Sequence, residues 1–169
     1  RRVPLPIICQ NFALLITFLK KTRFKTSGTS IPVSSISTEI AICGICNSRN
    51  YIINRNGIDE GFNLAEGTPN TNNSYVNEIC KFQLSNSIFV DCTANRNIAS
   101  LYVDLFRHKF SVVTCNKIAN SLSYESYKEL FATARLEKVQ YRYETTVCAA
   151  LPVLETLLQL VNCGDSIKK

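Results

Sequence analysis

The feature that most constrains this chain is the alternation of short apolar runs with amphipathic segments over residues 88–169. Residues 88–92 and 112–115 form apolar runs too short for helices, and such runs are typical of strands buried on both faces. A third run, residues 139–143, alternates in polarity, as a strand nearer a sheet edge does. Strands separated in this way by helical segments predict an α/β fold with a parallel sheet.

The segments that follow these runs have apolar residues at helical spacing, so that each presents one apolar face. These residues are Ile98, Leu101, Tyr102, Leu105 and Phe106 in the first segment, Tyr124, Tyr127, Leu130, Phe131 and Ala134 in the second, and Val153, Leu154, Leu157, Leu158 and Val161 in the third. Pro152 occupies a favoured first-turn position of the third helix, and Gly164 is its expected C-cap. The pattern therefore predicts helices packed against the sheet.

Small and polar residues come directly after each predicted strand. Thr93, Ala94 and Asn95 follow the first, Asn116 and Lys117 follow the second, and Glu144 follows the third. Ligands of parallel α/β sheets bind at the carboxyl ends of the strands. We therefore expect these residues to lie at one ligand site, although Thr93 or Asn95 could equally serve only to cap the following helix.

An earlier predicted strand, residues 40–46, is followed by Asn47, Ser48 and Arg49. In dinucleotide-binding folds this turn contacts the adenosine ribose. An acidic residue there binds the 2′-hydroxyl of NAD, whereas arginine suits the 2′-phosphate of NADP. The planar guanidinium of Arg49 is well suited to phosphate. Arg49 is thus a candidate for NADP recognition, and the alternative is an exposed surface arginine.

Four phrases in this order carry a family resemblance: FVDCTAN, VVTCNKIANS, YETTVCAALPVLETL and VNCGDSIKK, preceded by CGICNSRN. Together they resemble the nucleotide-binding domain of homoserine dehydrogenase, most closely the form fused to aspartate kinase, over residues 40–169. The implied fold is a Rossmann-like, doubly wound parallel sheet. Two positions differ. Cys148 stands where the family has glycine, and no glycine-rich phosphate loop precedes residue 40, so that the phosphate-loop strand is missing or divergent.

The resemblance implies an NADP- or NAD-dependent oxidoreductase that interconverts L-homoserine and L-aspartate 4-semialdehyde in threonine and methionine biosynthesis. The implied cofactor contacts are Asn47, Ser48, Arg49, Thr93, Ala94, Asn116 and Lys117. Lys117 also has the implied catalytic role, because a desolvated lysine can transfer a proton. A sodium or potassium ion is the second implied ligand. Its expected ligands, largely carbonyls, are Glu144, Val147, Ala149 and Leu151.

The resemblance also implies that the complete enzyme is a homo-oligomer whose substrate pocket and second lysine lie beyond Lys169. Methionine is absent from the chain, even at its first position, which indicates a fragment. We therefore expect the 169 residues alone to be inactive. Two other functions remain open. One is another Rossmann oxidoreductase for a different small hydroxy acid, and the other is a secreted cysteine-rich binding module.

Cysteine placement favours the intracellular alternatives. Of the eight cysteines, Cys43, Cys46, Cys92 and Cys115 fall in predicted buried strands, where a thiol packs as a small hydrophobic group. The Cys43-x-x-Cys46 pair has no second pair that would complete a zinc site. We therefore expect reduced thiols and a cytoplasmic protein. If position 148 requires a positive φ, Cys148 is strained by about 1 kcal/mol relative to glycine.

Residues 1–38 are predicted to form a separate helix and loop before an NAD(P)-binding domain over residues 39–169. Phe12, Leu15, Ile16 and Leu19 would share one helix face, and residues 27–37 would form the loop. The apolar stretch is too short to span a membrane. Six basic residues precede the first acidic one and account for the whole net charge of +6, so that neither a membrane nor a nucleic acid is an expected partner.

The Asn- and Gly-rich residues 47–73 are predicted to form a long loop before a short helix around residues 75–82. Because this loop follows the candidate ribose turn, it is either surface decoration or a lid on the cofactor side. Of these two interpretations we expect decoration.

Overall fold

The computed structural model describes residues 13–25, 33–59, 61–82, 86–149 and 151–168. These residues form a seven-stranded sheet in the order β4-β3-β2-β1-β5-β6-β7. The strands are β1 Ala13–Lys25, β2 Val33–Cys46, β3 Asn50–Ile53, β4 Thr68–Pro69, β5 Ser87–Asp91, β6 Phe110–Thr114 and β7 Tyr141–Arg142. The helices are α1 Ser74–Lys81, α2 Arg96–Ala99, α3 Tyr102–Arg107, α4 Tyr124–Leu136 and α5 Val153–Asn162. Short 3-10 turns are Leu64–Glu66, Thr71–Asn73, Ala119–Ser121 and Glu144–Thr146.

The parallel part of the sheet consists of β5, β6 and β7, joined through α2, α3 and α4. Its registers place Phe89 beside Val112 and Val112 beside Tyr141. The predicted α/β fold is thereby confirmed. The predicted burial of both strand faces is wrong, because Val113 is 39% exposed while Phe89 and Val112 are fully buried. The buried residues of α1, α3 and α4 belong to one core cluster together with Phe89 and Val112, which accounts for burial of that face alone.

The N-terminal part of the sheet is antiparallel, and here the prediction of a helix over Phe12 to Leu19 is wrong. Ala13–Lys25 is strand β1, which pairs with both β2 and β5; Phe12 lies outside the described residues. The sequence of β1 is rich in β-branched and aromatic residues, which favour strands, and short apolar runs do not distinguish the two structures. Residues 13–17 of β1 are paired on both sides, which satisfies their backbone hydrogen-bonding groups, and residues 18–25 pair with β2 alone.

The predicted loop over residues 27–37 is wrong from Val33 onward, because β2 begins there and pairs with β1. The earlier part of that loop, residues 26–32, lies outside the described residues. Strand β2 also crosses residue 39, where the sequence suggested a domain boundary. The division into residues 1–38 and 39–169 stays a prediction.

Strand direction decides which ends of the strands meet. Because β1 runs antiparallel to both β2 and β5, β2 runs in the same direction as β5, β6 and β7. The carboxyl ends of these four strands therefore lie at one edge, which we call the carboxyl edge. Ala13, at the start of β1, pairs there with Cys46 and Asp91. The carboxyl end of β1 lies at the opposite edge, so β1 cannot lead into a Rossmann phosphate loop at the carboxyl edge.

Cys43 and Cys46 are buried in β2, as predicted. The burial predicted for the other two strand cysteines is wrong. Cys92 is half-buried and Cys115 is exposed, because each lies one residue beyond the end of its strand. No disulfide joins the cysteines that the structure describes. Every helix of the described ranges is too short or too polar to cross a lipid bilayer.

Candidate functional site

A cleft of about 580 Å³ opens at the carboxyl edge between the turns that follow β2 and β5. This volume lies within the range of small-molecule sites. Of the predicted site residues, Asn47, Ser48, Thr93 and Ala94 line the cleft. The structure thus brings together residues that are more than 40 positions apart in the sequence.

The cleft has a third wall that the sequence did not predict. Asn70, Asn72 and Asn73, from the 3-10 turn before α1, line it together with the turns after β2 and β5. The interpretation of residues 47–73 as surface decoration is therefore wrong for both ends of that segment, which line the cleft. The prediction of one long loop is also wrong, because Asn50–Ile53 and Thr68–Pro69 are strands β3 and β4. The signal in the sequence was the cluster of asparagines at positions 70, 72 and 73, because asparagine tolerates left-handed backbone better than most residues. In the structure Asn72 and Asn73 adopt this conformation, with φ of 51° and 57°.

The turn after β2 is shaped by the side chain of Asn47. Its Oδ1 accepts hydrogen bonds from the backbone amides of Arg49 and Asn50, both at 2.8 Å. Such bonds are characteristic of asparagine in turns. Arg49 is exposed beside the cleft rather than in its lining. Its guanidinium forms no hydrogen bond or ion pair with the described residues, so the group is available to a ligand.

The turn after β5 combines a capping role with a place in the cleft. The Thr93 amide donates to Asp91 Oδ1 at 2.7 Å, and the Asn95 amide donates to Thr93 Oγ1 at 3.2 Å. Asn95 Oδ1 accepts from the Asn97 amide at 2.8 Å and caps α2, so the capping interpretation is confirmed for Asn95. Thr93, Ala94 and Asn95 nevertheless also line the cleft.

Asn116 and Lys117 follow β6 but do not line the cleft. Asn116 is 1% exposed, and its Nδ2 donates to Asp91 Oδ2 at 3.1 Å and to the Asn95 carbonyl at 3.0 Å. Its hydrogen bonds therefore connect the turn after β6 with the turn after β5. Lys117 is exposed, and its carbonyl accepts from Ser121 Oγ at 3.1 Å. Direct cofactor contacts of Asn116 and Lys117 stay predictions.

Beneath these turns lies a buried polar network that the sequence analysis missed. The Tyr102 hydroxyl donates to Asp91 Oδ2 at 2.5 Å and lies 2.8 Å from Thr114 Oγ1. Burial, and then the charge of Asp91, raise the pKa of Tyr102 far above its ordinary value. The signal was Asp91 itself, an acidic residue at the end of an apolar strand, because buried carboxylates require partners.

The predicted cation ligands lie in the connector between β7 and α5. Glu144 uses its carboxylate to cap α5: Oε1 accepts from the amides of Leu154 at 3.0 Å and Glu155 at 3.3 Å. The Glu144 carbonyl accepts from the Val147 amide at 3.2 Å. Among the described residues, no three His, Cys, Asp or Glu side chains cluster as metal ligands. A cation held by the carbonyls of Glu144, Val147, Ala149 and Leu151 stays a prediction.

The backbone of the same connector is in the left-handed region. Cys148 has a φ of 54° and Ala149 a φ of 49°. The positive φ considered for position 148 is thus present. A β-carbon is unfavourable in this conformation, whereas glycine adopts it without steric cost.

We expect Cys148→Gly to raise the free energy of unfolding by about 1 kcal/mol, because it removes the strained β-carbon. The measurement is urea denaturation of both proteins. Cys148→Ala is the matched control, since it removes the thiol but keeps the β-carbon, and it should give no comparable gain. Equal stability of Cys148→Gly and the parent protein would contradict the strain argument.

Comparison with known proteins identifies relatives of this chain. The family model described as homoserine dehydrogenase, NAD binding domain, matches residues 19–144. The bifunctional aspartokinase/homoserine dehydrogenase of Haemophilus influenzae is 35% identical over 136 residues, covering 78% of this chain and 17% of that protein. The homoserine dehydrogenase of Emericella nidulans is 43% identical over 83 residues, covering 49% of this chain and 23% of that protein.

The likeness extends to plants and to a solved structure. The chloroplastic bifunctional aspartokinase/homoserine dehydrogenase 2 of Zea mays is 31% identical over 144 residues, covering 82% of this chain and 16% of that protein. The crystal structure of homoserine dehydrogenase from Thermoplasma acidophilum matches in fold, with a TM-score of 0.55 at 22% identity over 73% of this chain and 40% of that one. This chain spans less than a quarter of the length of the three curated relatives.

Proposed function

Because the chain belongs to the homoserine dehydrogenase family and matches its NAD-binding domain, we propose that the cleft binds a nicotinamide cofactor, with NADP preferred over NAD. The observation that carries this proposal is the meeting of the turns after β2 and β5 around one cleft at the carboxyl edge. Rossmann-like folds bind dinucleotides at this edge. Asn47 and Ser48 would contact the adenosine ribose, and Thr93 and Ala94 would contact the rest of the cofactor.

The preference for NADP follows from Arg49. It is the only charged residue of the turn after β2, and it stands beside a cleft whose lining contains no charged side chain. A guanidinium can donate two hydrogen bonds at once to a phosphate. In this arrangement the 2′-phosphate would meet a free cation and no carboxylate.

Arg49→Ala is expected to remove most of the preference for NADP. A charge-assisted hydrogen bond to phosphate contributes about 1.5–3 kcal/mol, which corresponds to about a 10- to 150-fold change in the ratio of the dissociation constants. Isothermal titration with NADP and with NAD measures this ratio. Arg135→Ala is the control, because Arg135 is exposed on α4 and away from the cleft. Equal affinities of the parent protein for the two cofactors would disprove the preference.

The reaction we propose for the complete enzyme is hydride transfer between NADP and L-homoserine, with L-aspartate 4-semialdehyde as the product. Lys117 would act near the reacting carbon, because it follows β6 at the carboxyl edge and its exposed ammonium is accessible to substrate. It would hold the substrate or take up the proton of its hydroxyl. The homo-oligomer and the cytoplasmic location expected from the sequence stay predictions.

Lys117→Ala should lower the rate of NADPH formation from L-homoserine by about 10²–10⁴, the usual contribution of a general acid–base group. The assay follows NADPH absorbance in a complete homoserine dehydrogenase that contains this domain, because β1 brings no phosphate loop to the described part of the cleft. Lys128→Ala is the control, since Lys128 lies on α4 over the ring of Tyr124. An unchanged rate in Lys117→Ala would remove Lys117 from the mechanism.

A monovalent cation is the second ligand we propose, held by carbonyls of the Glu144 to Leu151 connector. Hard cations prefer such oxygen ligands. The capped start of α5 would hold the connector in place, because Glu144 is hydrogen-bonded to two of its amides. Melting temperatures in sodium, potassium and tetramethylammonium chloride at equal ionic strength test this proposal. The same melting temperature in all three salts would contradict it.

A further inference from the structure

Asn70 connects the third wall of the cleft with the turn after β2. We propose that Asn70 is a positioning residue, which fixes the Asn47–Ser48–Arg49 turn so that it can recognise the 2′-phosphate of an adenine nucleotide. This inference rests on the proposed function. It concerns a residue outside every motif from which the cofactor site was predicted.

Two hydrogen bonds from Asn70 hold the carbonyls of the turn. The side-chain Nδ2 donates to the Asn47 carbonyl at 2.9 Å, and the backbone amide donates to the Arg49 carbonyl at 2.7 Å. A trans peptide is planar and its C=O and N–H point in opposite directions. With the Asn47 carbonyl held by Asn70, the Ser48 N–H is directed away from the Asn70 side chain. Within the described residues this N–H has no hydrogen-bond partner, so it is available to a ligand.

The side chain of Asn70 is also hydrogen-bonded to helix α1, which packs in the core. Asn70 Oδ1 accepts from the Tyr75 amide in the first turn of α1, at 3.2 Å. Val76 and Ile79 of this helix are buried in the core cluster. The Asn70 side chain therefore connects a packed helix to the turn after β2, in which Ser48 and Arg49 are exposed.

The other contacts of the turn cannot replace Asn70. Asn47 Oδ1 accepts from the amides of Arg49 and Asn50, which sets the local curvature of the turn. The Asn50 side chain binds the carbonyls of Leu64 and Ala65, which anchors the strand that follows. The Asn47 amide also donates to the Asn50 carbonyl at 3.0 Å, which closes the turn. None of these contacts involves the Asn47 carbonyl. Only the bond from Asn70 Nδ2 does so among the described residues.

The test measures what the 2′-phosphate adds to binding. Dissociation constants of adenosine 2′,5′-bisphosphate and of adenosine 5′-monophosphate are determined by isothermal titration. The readout is the dissociation constant of the monophosphate divided by that of the bisphosphate. In Asn70→Ala we expect this ratio to fall by about 3- to 10-fold, the usual contribution of one hydrogen bond. Asn77→Ala is the matched control, because Asn77 is exposed on α1 and does not line the cleft. It should keep the parent ratio.

A second variant separates the turn contact from the helix contact. Asn70→Asp keeps an acceptor for the Tyr75 amide but loses the donor to the Asn47 carbonyl, so it also replaces Asn70→Ala if that variant does not fold. Thr71→Asp controls for the added charge, because exposed Thr71 is adjacent to Asn70 and does not line the cleft. We expect Asn70→Asp to lower the ratio more than Thr71→Asp does. Amide hydrogen exchange of residues 47–50 should become faster in both Asn70 variants.

The outcomes distinguish this inference from the proposed function. If the parent protein binds both nucleotides equally and Arg49→Ala changes nothing, recognition of the 2′-phosphate itself is wrong. If Arg49→Ala abolishes the difference while Asn70→Ala and Asn70→Asp keep it, only the positioning role of Asn70 is wrong. A fall of the ratio in both Asn70 variants, with Asn77→Ala unchanged and Thr71→Asp affected less than Asn70→Asp, supports the inference.

Discussion

Asp91→Ala is expected to lower the free energy of unfolding by about 3 kcal/mol or more, since several buried donors lose their acceptor at once. The Asp91 carboxylate is fully buried and accepts hydrogen bonds from the Tyr102 hydroxyl, the Asn116 amide group and the Thr93 backbone amide. Each buried donor left without a partner costs about 1–3 kcal/mol. Relaxation of the turns toward water would recover part of this cost.

Urea denaturation followed by circular dichroism measures the effect of Asp91→Ala. Asp104→Ala is the matched control, because Asp104 is exposed and its 3.0 Å ion pair with Arg107 is at the surface. Such pairs contribute about 0–1 kcal/mol. The free energy of unfolding of Tyr102→Phe should lie between those of the two variants. This substitution removes the hydroxyl that donates to Asp91 Oδ2, whereas Asn116 still donates to the same oxygen. A denaturation midpoint of Asp91→Ala equal to that of Asp104→Ala would show that the network does not stabilise the fold.

Alkaline pH is expected to lower the free energy of unfolding of the protein. Burial raises the pKa of the Cys46 thiol from 9.0 to about 12, and burial followed by the charge of Asp91 raises the pKa of Tyr102 above 10.0. In the unfolded chain both groups lose their protons at lower pH than in the folded protein. Stability is therefore fully present below pH 9.0 and is lost as the pH rises toward the folded values. Each group contributes a slope of about 1.36 kcal/mol per pH unit.

By about pH 11, Cys46 and Tyr102 together would lower the free energy of unfolding by about 4 kcal/mol, because both groups have lost their protons in the unfolded chain and keep them in the folded protein. Tyr141, whose pKa burial also raises, acts in the same direction. Urea midpoints between about pH 8 and 11 test the slope. Cys46→Ala should make the slope shallower from pH 9 upward, whereas Cys163→Ala, at an exposed position, should leave it unchanged. A midpoint that does not vary over this range would contradict the expectation.

The sequence by itself determined the parallel part of the fold. Residues 88–92 and 112–115 are too short and too apolar for helices, and the amphipathic segments after them have a clear helical period. These signals are local, since each depends on residues a few positions apart. The residues that end the strands then follow directly, which is why Ser48, Thr93 and Ala94, which line the cleft, could be predicted to lie together.

Only the tertiary structure decided the direction of β1, the role of Asn70 and the burial of Asp91. A segment such as Ala13–Lys25 satisfies its backbone either as a helix or as a strand, and pairing with β2 and β5 selects the strand. Asn70 binds a turn 23 residues earlier, and Asn116 binds Asp91 25 residues earlier. No local period encodes such contacts, because they depend on which strand ends meet at the carboxyl edge. Short-range patterns therefore fixed the strands and helices of the parallel part, and long-range pairing fixed how the site is held together.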